Sequence, residues 1–164
     1  MADRPSRRTL LGLIAVLLIA LLAVLLWRGQ WIVAPDEGRV ASVDPGCDLH
    51  AEACYAELPD GGELRLAIRP RPIRMRERLE LEVTVSGVEP ERVQVDFQGV
   101  EMFMGYNRPE LEPVNARVFQ GEAVLPLCLT DEMTWEAQVL LDTAEGRTSA
   151  PFRFATQRDD AAEP

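Results

Sequence analysis

The feature that most constrains this chain is the uninterrupted apolar run from Thr9 to Trp27, TLLGLIAVLLIALLAVLLW, which holds no charge and no proline. At about 1.5 Å of rise per residue such a run makes a helix of roughly 28 Å, close to the ~30 Å hydrocarbon core of a bilayer. Arg4, Arg7 and Arg8 precede it, and Trp27 and Trp31 flank its far end. Basic residues stay on the cytoplasmic side and indole rings favour the interface. The pattern predicts an inner-membrane, single-pass anchor with the N-terminus cytoplasmic and the remainder periplasmic. A cleaved signal peptide is the first rival, although its apolar core is usually shorter and Pro35 follows Val33-Ala34 directly. A twin-arginine signal around Arg7-Arg8 is the second.

The expected organisation is therefore a cytoplasmic tail over 1–8, a transmembrane anchor over 9–27 and a linker over 28–46. A folded periplasmic domain over 47–156 and a disordered tail over 157–164 complete it. The formal charge of −10 argues against a nucleic-acid partner, because phosphate binding needs clustered basic residues. Every one of the 17 basic residues is an arginine, which reads as compositional bias and not as a site.

Beyond the turn signal Pro59-Asp60-Gly61-Gly62, apolar residues alternate with period two, the mark of half-buried strands. Leu64, Leu66 and Ile68 form one such set; Leu79, Leu81, Val83 and Val85 form the next. Between them, the arginine- and proline-rich segment 69–76 reads as a solvated connection, with lipid headgroups as the alternative contact. Val93, Val95 and Phe97 continue the series, and the parity shift at Gln98-Gly99 suggests a bulge before Val100, Met102 and Met104. Strands are also expected over 118–127, 135–141 and 149–155, with Trp135 as a core ring. About seven strands and no helix after the anchor predict an all-β domain, an antiparallel β-sandwich of immunoglobulin-like or cupredoxin-like kind.

The chemistry-bearing residues are few. His50 is the single histidine, which excludes histidine-based triads and multi-histidine metal centres. Phosphate-cradling glycine motifs are absent. An enzyme is not expected. Cys47 and Cys54 most simply close a local disulfide, for which a chain-entropy argument gives roughly 2.5 kcal/mol. A Cys54–Cys128 link would contribute about 4.5 kcal/mol on the same argument, and Cys47-His50-Cys54 also has the look of half a metal site. Thiol redox chemistry is disfavoured by the spacing.

What remains is sulfur. Met102, Met104, Cys128 and Met133 are the candidate soft ligands, and thioethers with thiolates select Cu(I). The competing role for the methionines is to fill irregular gaps in the core, and for Cys128 to be a small buried apolar residue. Tyr106, Asn107 and Arg108 open a loop over 105–114 and are the candidate partner contacts, since tyrosine and arginine are enriched at binding hot spots.

Several segments together resemble a known group: the N-terminal anchor, the cysteine pair, RPRPI at 69–73, VDFQGVEMFMGYNRP at 95–109, LPLC at 125–128 and MTWEA at 133–137. Over most of 45–155 the chain resembles an uncharacterised family of proteobacterial membrane-anchored periplasmic proteins. These are in turn similar in architecture to the FixH-like and YtkA-like proteins of cytochrome oxidase assembly and copper handling. The resemblance implies a non-enzymatic accessory protein with Cu(I) as its one cofactor and a membrane protein or assembly factor as its partner. The alternative expectation is a metal-free interaction module that presents the 105–114 loop.

Overall fold

The computed structural model describes residues 7–29, 38–127 and 130–158. Residues 1–6 of the expected cytoplasmic tail, 30–37 of the expected linker, 159–164 of the expected C-terminal tail and Cys128 lie outside the described residues. Two compact units divide the chain, Met1–Glu37 and Gly38–Pro164.

In the first unit the described residues form a helix, α1 (Arg7–Gly29), which carries the apolar run. Its described side chains, 11–24, are all exposed and apolar round the whole circumference. Among the described residues no helix is long and apolar enough to cross a membrane.

The second unit is all-β. Its strands are β1 (Arg39–Val40), β2 (Ser42–Val43), β3 (Cys54–Glu57), β4 (Glu63–Arg69), β5 (Arg78–Ser86), β6 (Arg92–Gly99), β7 (Glu110–Pro113), β8 (Val118–Val124), β9 (Glu132–Thr143) and β10 (Gly146–Gln157). They form one sheet in the order β1-β10-β9-β6-β7-β8-β5-β4-β3-β2. β1 and β2 sit at opposite ends of that order, yet only Ala41 separates them in the chain. The sheet must therefore curl until its edges nearly meet, as in a barrel. Ala41 is buried at the seam and donates its amide to Ser149 O at 2.8 Å. Diametrically, β7 makes the other crossing: Glu110 and Leu111 pair with β6, whereas Glu112 and Pro113 pair with β8.

The inward positions are those the alternation marks. Leu64, Leu66, Ile68, Leu79, Leu81, Val83, Val85, Val93, Val95 and Phe97 are all buried, each aliphatic side chain contributing about 1.5–3 kcal/mol. Trp135 is fully buried, as expected, and its indole N–H donates to Thr156 Oγ1 at 2.9 Å, satisfying the one polar atom of the ring. Thr156 is itself buried, so both groups of this bond are removed from water together.

Two sequence expectations change. Residues 39–43, expected in the linker, form β1 and β2 and close the sheet. The expected bulge at Gln98-Gly99 is absent. β6 keeps a regular register with β9 through Gly99↔Trp135, and then ends. Val100, Met102 and Met104 therefore do not share a strand face. They belong to a loop over 100–109 with no strand of its own.

Strand directions place the loops. β4, β6, β8 and β10 run one way, and β3, β5, β7 and β9 run the other. The basal end, where the chain enters this unit at Gly38, collects loops 58–62, 87–91, 114–117 and 144–145. The opposite, apical end collects 44–53, 70–77, 100–109 and 125–131. Every candidate residue of the sequence reading that is described lies at the apical end, on its loops or the first residues of the adjoining strands.

Candidate functional site at the apical end

The apical loops are tied together by side chains. Cys47 and Cys54 form the local disulfide, with Cα atoms 5.6 Å apart, so neither is a thiol or a metal ligand. His50, inside that loop, is engaged at both ring nitrogens. Its Nδ1 accepts from the Ile73 amide at 3.1 Å, which leaves the proton on Nε2 to donate to Ala155 O at 2.7 Å. The ring also meets Phe154 edge-on at 5.9 Å. Arg71 reaches across to Ala51 O at 3.4 Å. The segment 69–76, expected as a free solvated connection, is thus held against the disulfide loop, with Ile73 buried beneath it.

The next connection bridges the two halves of this end. Leu125 O accepts from the Arg76 amide at 2.9 Å, and Val124 O accepts from Asn107 Nδ2 at 2.9 Å. Asn107 O in turn accepts the Phe97 amide at 2.9 Å, and Pro109 O accepts the Val95 amide at 3.1 Å. The returning limb of loop 100–109 is in this way laid beside β6. Asn107, one of the candidate partner contacts, has its side-chain amide and its carbonyl both engaged within the fold.

At the outgoing side, the Val100 amide donates to Thr134 O at 3.0 Å, and Glu101 Oε2 accepts the Thr134 amide at 3.1 Å. Hydrogen bonding from Thr134 holds the Glu101 carboxyl below the ordinary carboxylate range. Fixed at both ends, the loop projects its tip. Phe103 and Tyr106 pack edge to face with centroids 5.6 Å apart and planes at 80°, and they are 76% and 91% exposed. Val100 and Met102 beside them, and Val124 and Leu127 on the neighbouring connection, are also exposed. Single exposed apolar residues are ordinary, and six of them lie at this one end.

Under the tip lies a hollow of about 410 Å³ lined by residues 96 and 98–106 together with Arg108. Asp96 is buried in its wall, and its Oδ2 accepts from Arg108 Nη2 and Gln98 Nε2, both at 2.7 Å. Nothing in the sequence pairs Asp96 with Arg108. Asp96 occupies an alternating position of β6 next to Phe97, and only the loop's return path brings Arg108 to it.

The sulfur candidates divide. Met133 is buried in the core cluster, Met104 is half-buried against it, and Met102 is exposed. Gly99 shows how close the first two come. A Cβ built there would have Met133 Cε, Met104 Cγ and the Met102 carbonyl oxygen all within 3.0 Å. Two thioether side chains and one main-chain oxygen thus converge on the one glycine that ends β6. Cys128 falls outside the described residues, so its relation to them is not part of this geometry. Among the described residues no three His, Cys, Asp or Glu side chains are grouped to hold a metal ion.

No protein-family model matches the chain, and no curated protein does. Among solved structures it is similar to a DUF4785 family protein from Legionella pneumophila subsp. pneumophila str. Philadelphia 1, at 13% identity and a TM-score of 0.42. The likeness covers 58% of this chain and 29% of that one, so the chain spans well under half of the protein it matches.

Proposed function

We propose that the chain is a non-enzymatic, membrane-tethered interaction module that docks on a membrane-protein partner through its apical end. The observation that carries this reading is the set of six exposed apolar side chains at this end, four of them, the Phe103–Tyr106 pair included, on a loop fixed at both ends. Rigid aromatic anchors lose little conformational freedom on binding, and with arginine they dominate interface energetics. The engagement of both nitrogens of His50 favours binding over acid–base catalysis, because that imidazole is committed to the fold. For the tether, the support is the 23-residue α1, apolar round its circumference wherever side chains are described, a pattern of helices surrounded by lipid. The disulfide supports an oxidising, periplasmic location. The two strand crossings at Ala41 and at β7 support an immunoglobulin-like sandwich of two layers, the sheet-switching strands forming its sides.

Photo-crosslinking in the source cells tests the docking. A photoreactive residue at Phe103 is expected to give a discrete membrane-protein adduct, and one at Val114, equally apolar but at the basal end, none. The same adducts from both positions, or none from Phe103, would remove the reading. Resistance of the chain to alkaline extraction from membranes tests the tether separately.

A second reading is favoured by the convergence over Gly99: a Cu(I) site built on the Met104 and Met133 thioethers, with Met102 swinging in from the hollow. Soft thioethers suit Cu(I). The burial of Met133 in the core cluster equally fits a gap-filling role. Titration of the chain with Cu(I) against a competing chelator separates the two, since only a metal site loses affinity in Met104→Leu.

A further inference from the structure

We propose that the hollow under the loop takes a carboxylate of the partner, anchored by the Arg108 guanidinium, while the Phe103–Tyr106 pair receives the apolar group beside it. The inference rests on the docking reading above and names the chemistry that the docked partner offers. It follows from which charge an incoming group can reach. Two oppositely charged side chains face each other in this wall, but the Arg108 side chain is 39% exposed and the Asp96 side chain only 4%. Of these two, a ligand entering the hollow meets the guanidinium and not the buried carboxylate, and the exposed Glu101 carboxylate lines the hollow as well.

Arg108 is also prepared for that task. Among the described residues its hydrogen bonding runs through Nη2 alone, to Asp96 Oδ2. A guanidinium carries five N–H donors in one plane, so Nε and Nη1 keep theirs for a second acceptor. Asp96 is held in turn by Gln98 Nε2 on the same oxygen, which fixes the plane of the fork before any ligand arrives. A fork already fixed loses less freedom when a carboxylate joins it, and the resulting bonds are charge-assisted and short. Asp96 is thereby a positioning residue. The other carboxylate of the lining, Glu101, already accepts the Thr134 amide through Oε2.

Space and surroundings agree. About 410 Å³ admits one or two side chains, at the lower end of ordinary ligand pockets. Met102, Met104, Phe103 and Tyr106 line the same hollow and supply apolar and aromatic surface. The occupant is therefore a peptide segment with a carboxylate adjacent to an apolar or aromatic side chain.

The full chain in detergent micelles, labelled with nitrogen-15, tests this with three probes: N-acetylphenylalanine, its neutral amide, and phenethylamine. The acid is expected to shift the Gly99, Gly105 and Tyr106 amides and the Arg108 Nε–H saturably, and the amide at least about tenfold more weakly, the size of one charge-assisted hydrogen bond. Arg108→Gln should reduce the acid to the level of the amide, and Arg108→Lys should recover part of the difference. Because Arg108→Gln leaves Asp96 without its cation, the Phe97 and Asn107 amides report whether the loop still lies beside β6. If it does not, the Arg108→Lys result decides. Equal binding of acid and amide, a preference for the amine, shifts indifferent to Arg108, or no shifts with any probe would each overturn the inference. A Phe103 adduct that persists without carboxylate selectivity would sink this inference alone; selectivity without an adduct would sink the docking reading instead.

Discussion

The two ends of the β unit solve the same problem, joining strands, by different means. At the basal end the backbone does it. Gly62 and Gly87 have φ of 106° and 84°, and a Cβ on Gly62 would collide with Ser86 O and lie 2.9 Å from the Gly87 Cα. Two turns are pressed backbone to backbone, and only glycine permits it. Charged pairs close the rest: Asp142 takes Arg147 Nε at 2.6 Å and Arg92 Nε at 3.5 Å, and Arg39 pairs with Asp60. At the apical end, longer loops are held by backbone hydrogen bonds and, in addition, by side chains that cross between loops, through the disulfide, His50, Asn107 and Asp96. A turn made of backbone contacts leaves no surface to vary. Longer loops tied across to one another can project apolar groups that the fold itself does not use, and here they do.

The comparison can be broken most sharply at the glycines. Gly62→Ala should cost on the order of 2–4 kcal/mol, combining a disfavoured φ with a backbone clash. Gly105→Ala, also at positive φ but with open space around it, should cost about 1 kcal/mol. Equal losses in urea melts of the two variants would mean that the basal contact is not what distinguishes these ends.

Next in size is the disulfide. Replacing Cys47 and Cys54 with serine should lower stability by roughly 2.5 kcal/mol. The loss should also loosen the apical end selectively, with faster hydrogen exchange at the Ile73 amide that His50 accepts, and unchanged exchange at basal amides such as Glu91. Uniform acceleration at both ends would show that the disulfide acts on the whole unit.

The smallest effect is electrostatic and belongs to the basal end. The hydrogen bond from Arg147, with Arg147 and Arg92 charge behind it, holds the Asp142 carboxyl below its ordinary value of 3.8. A carboxyl lowered on folding stabilises the fold above its unfolded-state value, and the contribution fades as pH falls through the lower folded value. Asp142→Asn should therefore reduce stability near neutral pH by about 1 kcal/mol or less. The difference from the unsubstituted chain should narrow as the pH drops from about 5 through the unfolded-state value and below it. A difference that persists unchanged through that range would exclude the ion pairs as its source.

Much of the molecule was legible in the chain because it rests on local pattern. The alternation from Leu64 to Val85 and from Val93 to Phe97 marks inward residues correctly, since side chains on a strand point to alternate faces whatever the strand pairs with. The short strands at 39–43, 54–57 and 110–113 escaped that reading because they are too brief to show a period. Parity after Gly99 misled for a related reason: once β6 ends, spacing in sequence no longer reports direction in space. Asn107 illustrates the limit at the site, where a residue with the look of a surface contact is occupied by Val124 O and the Phe97 amide.

By itself, then, the sequence determined the split between an apolar helical run and an acidic all-β unit, the buried face of the principal strands, and the local pairing as the simplest state of Cys47 and Cys54. All of these follow from residue type and near-neighbour spacing. Only the tertiary structure decided that the sheet curls closed at Ala41 and that Asp96 fixes Arg108. It alone set Met104 against Met133 over Gly99 and gathered the exposed aromatic loop at the end opposite the point where the chain enters. Those relations join residues through strand order and loop return, and a contact made by the path of the chain leaves no mark on the spacing of the residues that make it.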